Sequence, residues 1–250
     1  MNLYPAASVA ARRATLLQIL AGYTIAGWDV GDAADIVITG AGVSNHIDSV
    51  GTYDALQATD SARPIYSNLG PLSYYDGNAA NRHLRTALGT SFSGGDLCLI
   101  SIAKFSATNI SRCVLGTGSG STSRTRIITA SAGAFFTGVI RDSVGDDVIV
   151  GPASDTGIHM QILLNETGVR RKFWVDGGAG AAGARTTAVF DTHTAMGILA
   201  NVLGAQQAST AQVYFSAICK PIPTNAVLNA LGAAYAARFA SLGATWNTLS

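Results

Sequence analysis

Residues 28–78 read WDVGDAADIVITGAGVSNHIDSVGTYDALQATDSARPIYSNLGPLSYYDGN, and no other part of the chain says more about its architecture. Short apolar runs recur in this stretch, and Gly, Asn, Asp and Ser separate them. Short runs bounded by turn-forming residues are typical of β-strands joined by tight loops. The same spacing continues through most of the chain, which predicts an all-β sandwich.

The order of short motifs in this stretch resembles a known family. A Trp strand at 28–30 is followed by a polar loop, Gln-Ala-Thr at 57–59, Arg-Pro-Ile-Tyr at 63–66 and Tyr-Tyr-Asp-Gly at 74–77. That order resembles the opening of the concanavalin A-like (LamG/pentraxin-like) jelly-roll domains of tailed-bacteriophage structural proteins. The resemblance implies a jelly-roll β-sandwich of two antiparallel sheets that recognises surfaces and assembles into virions, and it specifies no ligand.

Later motifs extend the resemblance over residues 23–243. The segment Arg171–Gly177 resembles the Asp-Gly hairpin of these domains, in which Asp-Gly makes a tight turn. Segments 203–205 and 213–218, with the helix after them, resemble the family's closing strands and helix. Ala217 stands where the family usually has Gly, a departure that keeps the fold and puts an inherited ligand in doubt.

Local patterns predict a helix at each end of the chain. Apolar residues at helical spacing predict helices over 5–21, ending at Gly22, and over 224–241, with Thr224 or Asn225 as the N-cap and Gly243 just past the end. We divide the chain into an N-terminal helix at 1–22, for attachment or oligomerisation, and a sandwich at 23–250 closed by the second helix. The predicted strands are 23–30, 63–67, 72–76, 97–105, 112–117, 125–130, 134–141, 146–150, 157–165, 170–176, 186–191, 197–203 and 211–220.

Composition excludes several classes of protein. The 250 residues carry a net charge of +1 with scattered basic residues, so no nucleic-acid partner is expected. Mean hydropathy is +0.29, yet no apolar run reaches 18 residues, so no membrane insertion is expected. Arg12-Arg13 interrupts the start of the chain, which makes a poor signal peptide. Three dispersed Cys suggest folding in a reducing cytoplasm with each thiol buried.

Charged residues make up only 12% of the chain, about half the usual quarter. A free monomer normally covers itself with Lys and Glu, whereas this chain has three Lys and one Glu, Glu166. We therefore expect neighbouring copies or partners to cover much of the surface. A GC-rich genome that favours Ala, Gly and Arg is the alternative explanation.

The motifs that suggest chemistry are weak. The G-x-G-x-x-G at 178–183 precedes a β-like segment rather than a helix, so a hairpin loop is expected rather than a nucleotide site. A single Glu excludes a two-Glu glycosidase, and the Asp146-Asp147 pair is expected to form a solvated turn. Calcium candidates such as Asp76 with Asn78 lack loop-motif spacing. The four His residues are far apart, and no G-x-S-x-G elbow supports a Ser/His/Asp triad. We predict no catalytic residue, no metal and no cofactor.

Exposed aromatic side chains are the remaining candidates for ligand contact, because their rings can stack on sugar faces. The candidate sugar-contacting residues are Tyr53, Tyr74 and Tyr75, with Trp246 a further aromatic of this kind. Trp28 and Trp174 lie within predicted strands and are expected in the core.

These observations lead to a functional expectation. We expect a non-enzymatic virion protein of a tailed phage, made in the bacterial cytoplasm: a fibre, spike or head-decoration subunit that adsorbs to host-surface polysaccharide. Its expected partners are other virion proteins and copies of itself, with a trimer favoured. Three alternatives stay open: a purely architectural virion subunit, a cellular lectin module, and a glycan hydrolase. For the helix at 5–21, packing on its own sandwich or on a neighbouring chain are both open.

Overall fold

The computed structural model describes residues 16–50, 53–77, 82–92, 96–105, 112–119, 124–129, 135–142, 144–186, 193–200 and 211–249. In chain order the strands are β1 (Thr24–Asp29), β2 (Ile36–Thr39), β3 (Gly42–His46), β4 (Ala55–Leu56), β5 (Ile65–Ser67), β6 (Tyr74–Asp76), β7 (Leu84–Phe92), β8 (Leu97–Lys104), β9 (Arg112–Gly118), β10 (Arg124–Thr129), β11 (Phe135–Asp142), β12 (Gly145–Ala153), β13 (Ile158–Glu166), β14 (Arg170–Val175), β15 (Ala181–Ala182), β16 (His193–Ile198) and β17 (Gln212–Cys219). Residues 16–19 are helical (α1), and α2 spans Asn225–Arg238. Short 3-10 turns occupy Ala33–Asp35, Asp60–Ala62, Gly70–Leu72 and Ala240–Leu242.

The strands form two antiparallel sheets. Sheet A has the order β15-β14-β13-β8-β17-β6-β5, and β1 also pairs with β17. Sheet B has the order β12-β11-β10-β9-β16-β7-β4-β3-β2. Their inner faces share one cluster of buried side chains, the inner cluster. The predicted all-β sandwich of two antiparallel sheets with a helix at each end is confirmed.

Sheet A is the middle layer of the molecule. Along β8, Leu97 and Leu99 join the inner cluster, whereas Cys98, Ile100 and Ile102 join an outer cluster that lies between sheet A and the helices. A strand covered on both faces reads as a nearly continuous apolar run, and β8 is buried from its first residue to its seventh. Alternate side chains of β8 therefore face the inner and the outer cluster. Trp28 and Trp174 are buried, as expected, and so are all three Cys.

The first helix packs on its own sandwich where the structure describes it. Leu16 and Leu20 are buried in the outer cluster, and the Thr24 hydroxyl donates a hydrogen bond to the Leu20 carbonyl. Gly22 adopts a left-handed φ of 82° just after the helix, which confirms it as the terminator. Residues 5–15 of the predicted helix lie outside the described residues. The apolar face of α1 is thus used within the chain at its last turn.

The closing helix has the predicted N-cap. The hydroxyl of Thr224 accepts a hydrogen bond from the Val227 N–H at 3.3 Å. Gly243 has a left-handed backbone, but it caps the 3-10 turn Ala240–Leu242 that follows α2. The helix ends at Arg238 rather than 241, because Phe239 leaves the helical region and a 3-10 turn follows.

Removing the N-cap of α2 should destabilise the protein modestly. Thr224→Ala leaves the Val227 N–H without its side-chain acceptor, and we expect the free energy of unfolding to fall by about 1 kcal/mol in urea titration. Thr224→Ser, which keeps the acceptor oxygen, is the control and should stay within a few tenths of a kcal/mol of wild type. Equal losses in both variants would show that the cap does not stabilise α2.

Several strands were not predicted, and they share a cause. Strands β3, β4 and β15 have two to five residues, and β7 contains Arg, Thr, Gly and Ser, so none of these four has a clear apolar run. Strand β2 is apolar but has only four residues. The predicted strand 197–203 is displaced, because β16 spans His193–Ile198. Positions 187–191 and 201–203 of the predicted strands lie outside the described residues.

The predicted Asp-Gly turn is confirmed. Asp176 and Gly177 have φ values of 49° and 69°, and the Gly178 N–H donates to the Val175 carbonyl at 3.0 Å. The turn joins β14 to β15, so the G-x-G-x-x-G segment is part of a hairpin, as expected, rather than the start of a helix.

Candidate functional site

The three predicted sugar-contacting tyrosines lie in different environments. Tyr75 is fully buried, and its hydroxyl hydrogen-bonds the Nδ1 atom of His46 across to sheet B. Its prediction as a sugar contact is therefore wrong, because a ring inside the sandwich cannot reach a ligand. Tyr74 and Tyr75 are consecutive residues of β6, and consecutive strand residues point to opposite faces. Tyr74 accordingly faces outward, partly exposed against the outer cluster.

Tyr53 is also partly exposed, but it packs against the inner cluster at the edge of sheet B. Its backbone N–H donates to the carboxylate of Asp48 at 3.3 Å. Tyr53 thus stays a separate prediction, apart from Tyr74.

Tyr74 belongs to a group of polar and aromatic side chains on the outer face of sheet A. Gln212 of β17 lies opposite Asp76 of β6 on one side and opposite Lys104 of β8 on the other. Side chains directly opposite each other share a face of the sheet. With Tyr74 and Tyr214 these three residues form what we call the Tyr74 patch. Lys104 is exposed, and Tyr74, Asp76 and Gln212 are partly exposed.

Direct contacts fix the geometry of the patch. The rings of Tyr74 and Tyr214 lie 5.4 Å apart at 50°, and the Tyr214 hydroxyl donates to Gln212 Oε1 at 3.0 Å. Burial, followed by the proximity of Tyr74 and Asp76, raises the pKa of Tyr214 to about 12. The Tyr214 hydroxyl is therefore protonated at neutral pH and holds the Gln212 amide in one orientation.

The end of α2 packs against the patch on the outer face of sheet A. The Tyr214 ring meets Phe239 edge-on at 5.3 Å, and the guanidinium of Arg238 lies 5.0 Å above the Phe239 ring. Arg238 is held in turn by two hydrogen bonds to the Asp29 carboxylate, at 2.6 and 2.7 Å, and by one to the Pro71 carbonyl at 2.8 Å. Tyr214 is consequently fixed by packing, which leaves Tyr74 as the accessible ring.

The patch has the groups needed to hold a polyhydroxylated ligand. The Tyr74 ring offers a flat apolar face, the Gln212 amide nitrogen donates, the Asp76 carboxylate accepts, and the Lys104 ammonium donates. These groups lie on the outer face of sheet A beside the end of α2, where Lys104 is exposed and Tyr74, Asp76 and Gln212 are partly exposed. This arrangement favours shallow contact with a chain of sugars. Lys104, Gln212 and Tyr214 were missed by sequence reasoning, since only the strand register brings them beside Tyr74.

The predicted solvated turn at Asp146-Asp147 is wrong. Both residues lie in β12, and the turn precedes them: Asp142 Oδ1 accepts from the N–H groups of Val144 and Gly145. Strand alternation turns Asp147 into the sandwich, where it is buried, and leaves Asp146 on the outer face.

Asp142 and Asp147 share one buried cation. Arg171 of sheet A places its Nη1 atom 3.0 Å from a carboxylate oxygen of each, and its Nε donates to Asn165 Oδ1 at 2.7 Å. Burial alone would raise the pKa of Asp142 and Asp147, but hydrogen bonds from Arg171 and from backbone N–H groups hold both pKa values below the ordinary one. The cluster joins the two sheets, and its carboxylates are ionised and engaged.

A histidine between two carboxylates lies at another end of sheet A. His159 Nδ1 is 2.6 Å from Asp176 Oδ2, and His159 Nε2 is 2.7 Å from Asp155 Oδ1. Asp176 Oδ1 also accepts from the Met160 N–H at 2.8 Å and from the Tyr235 hydroxyl at 3.0 Å. Because both ring nitrogens are engaged, His159 has no free nitrogen with which to abstract a proton from a substrate.

The described residues form neither a metal-binding cluster nor a membrane-spanning helix. Among them, no group of three or more His, Cys, Asp or Glu side chains is arranged to hold a metal ion. Asn78, the predicted companion of Asp76 in a calcium site, lies outside the described part of the chain. No described helix is long and apolar enough to cross a membrane.

Comparisons with known proteins find the fold but no family. No protein-family model matches the chain, and no curated protein matches its sequence. Solved structures match its backbone. One is a Botulinum neurotoxin serotype D binding domain, with a TM-score of 0.61 and 8% identity, covering 85% of this chain and 51% of that chain. Another is the serotype D ligand binding domain in complex with N-acetylneuraminic acid, with a TM-score of 0.61 and 6% identity, covering 86% of this chain and 52% of that chain.

A third similar structure is Trypanosoma rangeli sialidase, with a TM-score of 0.56 and 10% identity, covering 90% of this chain and 38% of that chain. At these identities the likeness shows the fold alone: the chain is a β-sandwich of two antiparallel sheets. It spans about half the length of the neurotoxin domains that it matches.

Proposed function

We propose that this protein is a non-enzymatic glycan-binding subunit of a tailed-phage virion, and that the Tyr74 patch contacts the glycan. The observation that carries the proposal is the partly exposed Tyr74 ring, which shares the outer face of sheet A with the polar groups of Asp76, Lys104 and Gln212. The fold is shared with a domain described in complex with N-acetylneuraminic acid, which supports a sugar as the ligand.

The virion role rests on sequence. The motif order in residues 28–78 and 171–177 resembles domains of phage structural proteins, and the 12% charged residues suit a surface covered by partners. The proposed partners are other virion proteins and further copies of the chain, with a trimer favoured. Leu16 and Leu20 are used within their own chain, so the assembly contact lies elsewhere than on these two side chains.

The state of the carboxylates supports a protein without catalytic activity. Glycoside hydrolysis needs an acid whose pKa is raised, placed across a cleft from a second carboxylate. The pKa values of Asp142, Asp147 and Asp155 are lowered from the ordinary value, because hydrogen bonds to each carboxylate outweigh its burial. Glu166, the single Glu of the chain, pairs with Arg170 at 2.8 Å. This set suits structural ion pairs better than acid catalysis.

Glycan binding is tested by displaying the protein on beads and probing an array of bacterial surface polysaccharides. Multivalent display raises avidity by about 10²–10⁴, enough to detect weak single sites. We expect Tyr74→Leu, which keeps an apolar side chain but loses the ring face, to weaken binding about 3–10-fold. Tyr53→Leu tests the other predicted contact, which packs against the inner cluster. If the Tyr74 patch holds the glycan, Tyr53→Leu should bind as wild type does.

Two outcomes would count against this assignment. Weakened binding in Tyr53→Leu but not in Tyr74→Leu would move the site to the edge of sheet B. If wild-type beads retain no polysaccharide, and particles without this protein adsorb normally to host cells, the purely architectural role is correct.

A further inference from the structure

The space between the sheets contains a row of polar side chains where apolar ones are expected. Gln161 of β13 lies opposite Ser101 of β8, Ser101 lies opposite Ser216 of β17, and Ser216 lies opposite Trp28 of β1. The four residues therefore occupy one level on four adjacent strands of sheet A. All four are fully buried, with 0% exposure.

Strand alternation shows that the row faces inward. Ser101 lies between Ile100 and Ile102, and both isoleucines belong to the outer cluster. The same holds for Gln161 and Ser216, whose neighbours on each side are also in the outer cluster, while Trp28 is itself a member of the inner cluster. The row thus projects into the layer between sheet A and sheet B.

None of the polar atoms in this row has a hydrogen-bond partner within the described part of the protein. They are Gln161 Oε1 and Nε2, Ser101 Oγ, Ser216 Oγ and Trp28 Nε1. Buried polar atoms are almost always hydrogen-bonded to protein or to ordered water, so five unpartnered atoms at one level require an explanation.

We propose that ordered water molecules bind along this row and form an internal hydrated channel between the sheets. The row combines donors (Trp28 Nε1 and Gln161 Nε2), an acceptor (Gln161 Oε1) and two hydroxyls that do both, and water is the ligand that serves all three kinds. Opposite side chains of neighbouring strands have Cβ atoms about 4.5–5.5 Å apart, a gap that one water bridges. A buried water typically makes about three hydrogen bonds. A water beside Ser101 has Gln161 and Ser216 as further partners, and a water beside Ser216 has Ser101 and Trp28. This channel is independent of the Tyr74 patch and of glycan binding.

Nuclear magnetic resonance on the intact wild-type protein gives the first test. Water-selective rotating-frame Overhauser spectra of ¹⁵N-labelled protein should show direct cross-peaks from long-lived water to the Trp28 indole N–H and to the Gln161 side-chain amide. The Trp246 indole, which donates to Asn229 Oδ1 at 3.3 Å, provides an indole with a protein partner for comparison. If neither Trp28 nor Gln161 shows such a cross-peak, the row is dry and the proposal is overturned.

Substitution gives the second test, with a different readout. Gln161→Met keeps the length of the side chain but removes two partners of the bound water, so we expect the Tm to fall about 2–4 °C further than in Leu163→Met. Leu163, two residues along β13 on the same inner face, sets the cost of placing Met in this layer. If no water is bound, Gln161→Met removes two buried polar groups that have no partner, and their removal stabilises the protein. A Tm of Gln161→Met at or above that of Leu163→Met therefore contradicts the proposal.

Discussion

Replacing Arg171 with methionine is expected to lower the free energy of unfolding at pH 7 by about 3–5 kcal/mol, the usual loss when one member of a buried ion pair is removed. Arg171 is buried between the sheets and is shared by Asp142 and Asp147, whose side chains are 0% and 6% exposed. Without the Arg171 guanidinium, Asp147 loses its ion pair with Arg171, while Asp142 keeps its pair with Arg185 at 3.3 Å. Urea titration followed by circular dichroism measures the loss.

The loss should depend on pH. In wild type the folded-state pKa values of Asp142 and Asp147 lie below the ordinary value. The cluster therefore stabilises the folded protein fully above the unfolded-state pKa of about 3.9. This stabilisation is lost as the pH falls through the lower folded-state pKa values. In Arg171→Met the carboxylates instead bind protons more readily when folded. The difference between variant and wild type should therefore shrink between pH 7 and pH 3.5.

Arg170→Met is the matched control for this cluster. Arg170 precedes Arg171 in β14, but it faces solvent at 34% exposure and pairs with the partly exposed Glu166. Exposed ion pairs contribute about 0–1 kcal/mol, so this variant should stay within about 1 kcal/mol of wild type. Similar losses in Arg170→Met and Arg171→Met would show that burial of the cluster is not what makes it stabilising.

The sequence predicted the architecture well because alternation and turn residues are local signals. The apolar run of β8, the Asp176-Gly177 turn and the N-cap of α2 at Thr224 can each be identified within about ten residues. Short strands such as β4, which lies between β3 and β7, were missed because they form only through pairing with other strands.

The candidate site was only partly predictable, for a related reason. Tyr74 was identified as an exposed aromatic, whereas Tyr75 was assigned wrongly although two consecutive tyrosines of one strand cannot both face solvent. Gln212 and Lys104 join Tyr74 only through the β6–β17–β8 register, which pairs residues far apart in the chain. No local sequence pattern predicts that register.

The burial of Asp147 could not be predicted from the sequence either. Asp147 looks like a turn residue, since an Asp-Asp pair after Gly145 has high turn propensity. It is buried instead because Arg171, a residue of the other sheet, compensates its charge. Pairing between sheets depends on tertiary structure, which no local pattern reports.

Removing the Asp176 carboxylate should have the second largest effect. Asp176 accepts hydrogen bonds from the Met160 N–H, the Tyr235 hydroxyl and His159, and its side chain is 15% exposed. Asp176→Ala loses all three and places alanine at a φ of 49°, where a side chain without a polar group is strained. We expect the free energy of unfolding to fall by about 3–4 kcal/mol. Asp155→Ala removes the other carboxylate on His159, which is 66% exposed, and should cost less than 1 kcal/mol.

The charge on His159 gives this cluster a pH dependence opposite in direction to that of Arg171. Burial alone would lower the pKa of His159, but its hydrogen bonds to Asp176 and Asp155 raise it above the ordinary 6.5. A raised folded-state pKa stabilises the protein fully below the unfolded-state value, and the contribution is lost as pH rises through the folded value. Wild type should therefore lose stability above pH 6.5. Asp176→Asn keeps an acceptor for Met160 and tolerates the left-handed backbone, but it removes the charge, so its unfolding free energy should fall less steeply between pH 6 and pH 9. Parallel pH profiles for wild type and Asp176→Asn would show that His159 is not stabilised as a cation by Asp176.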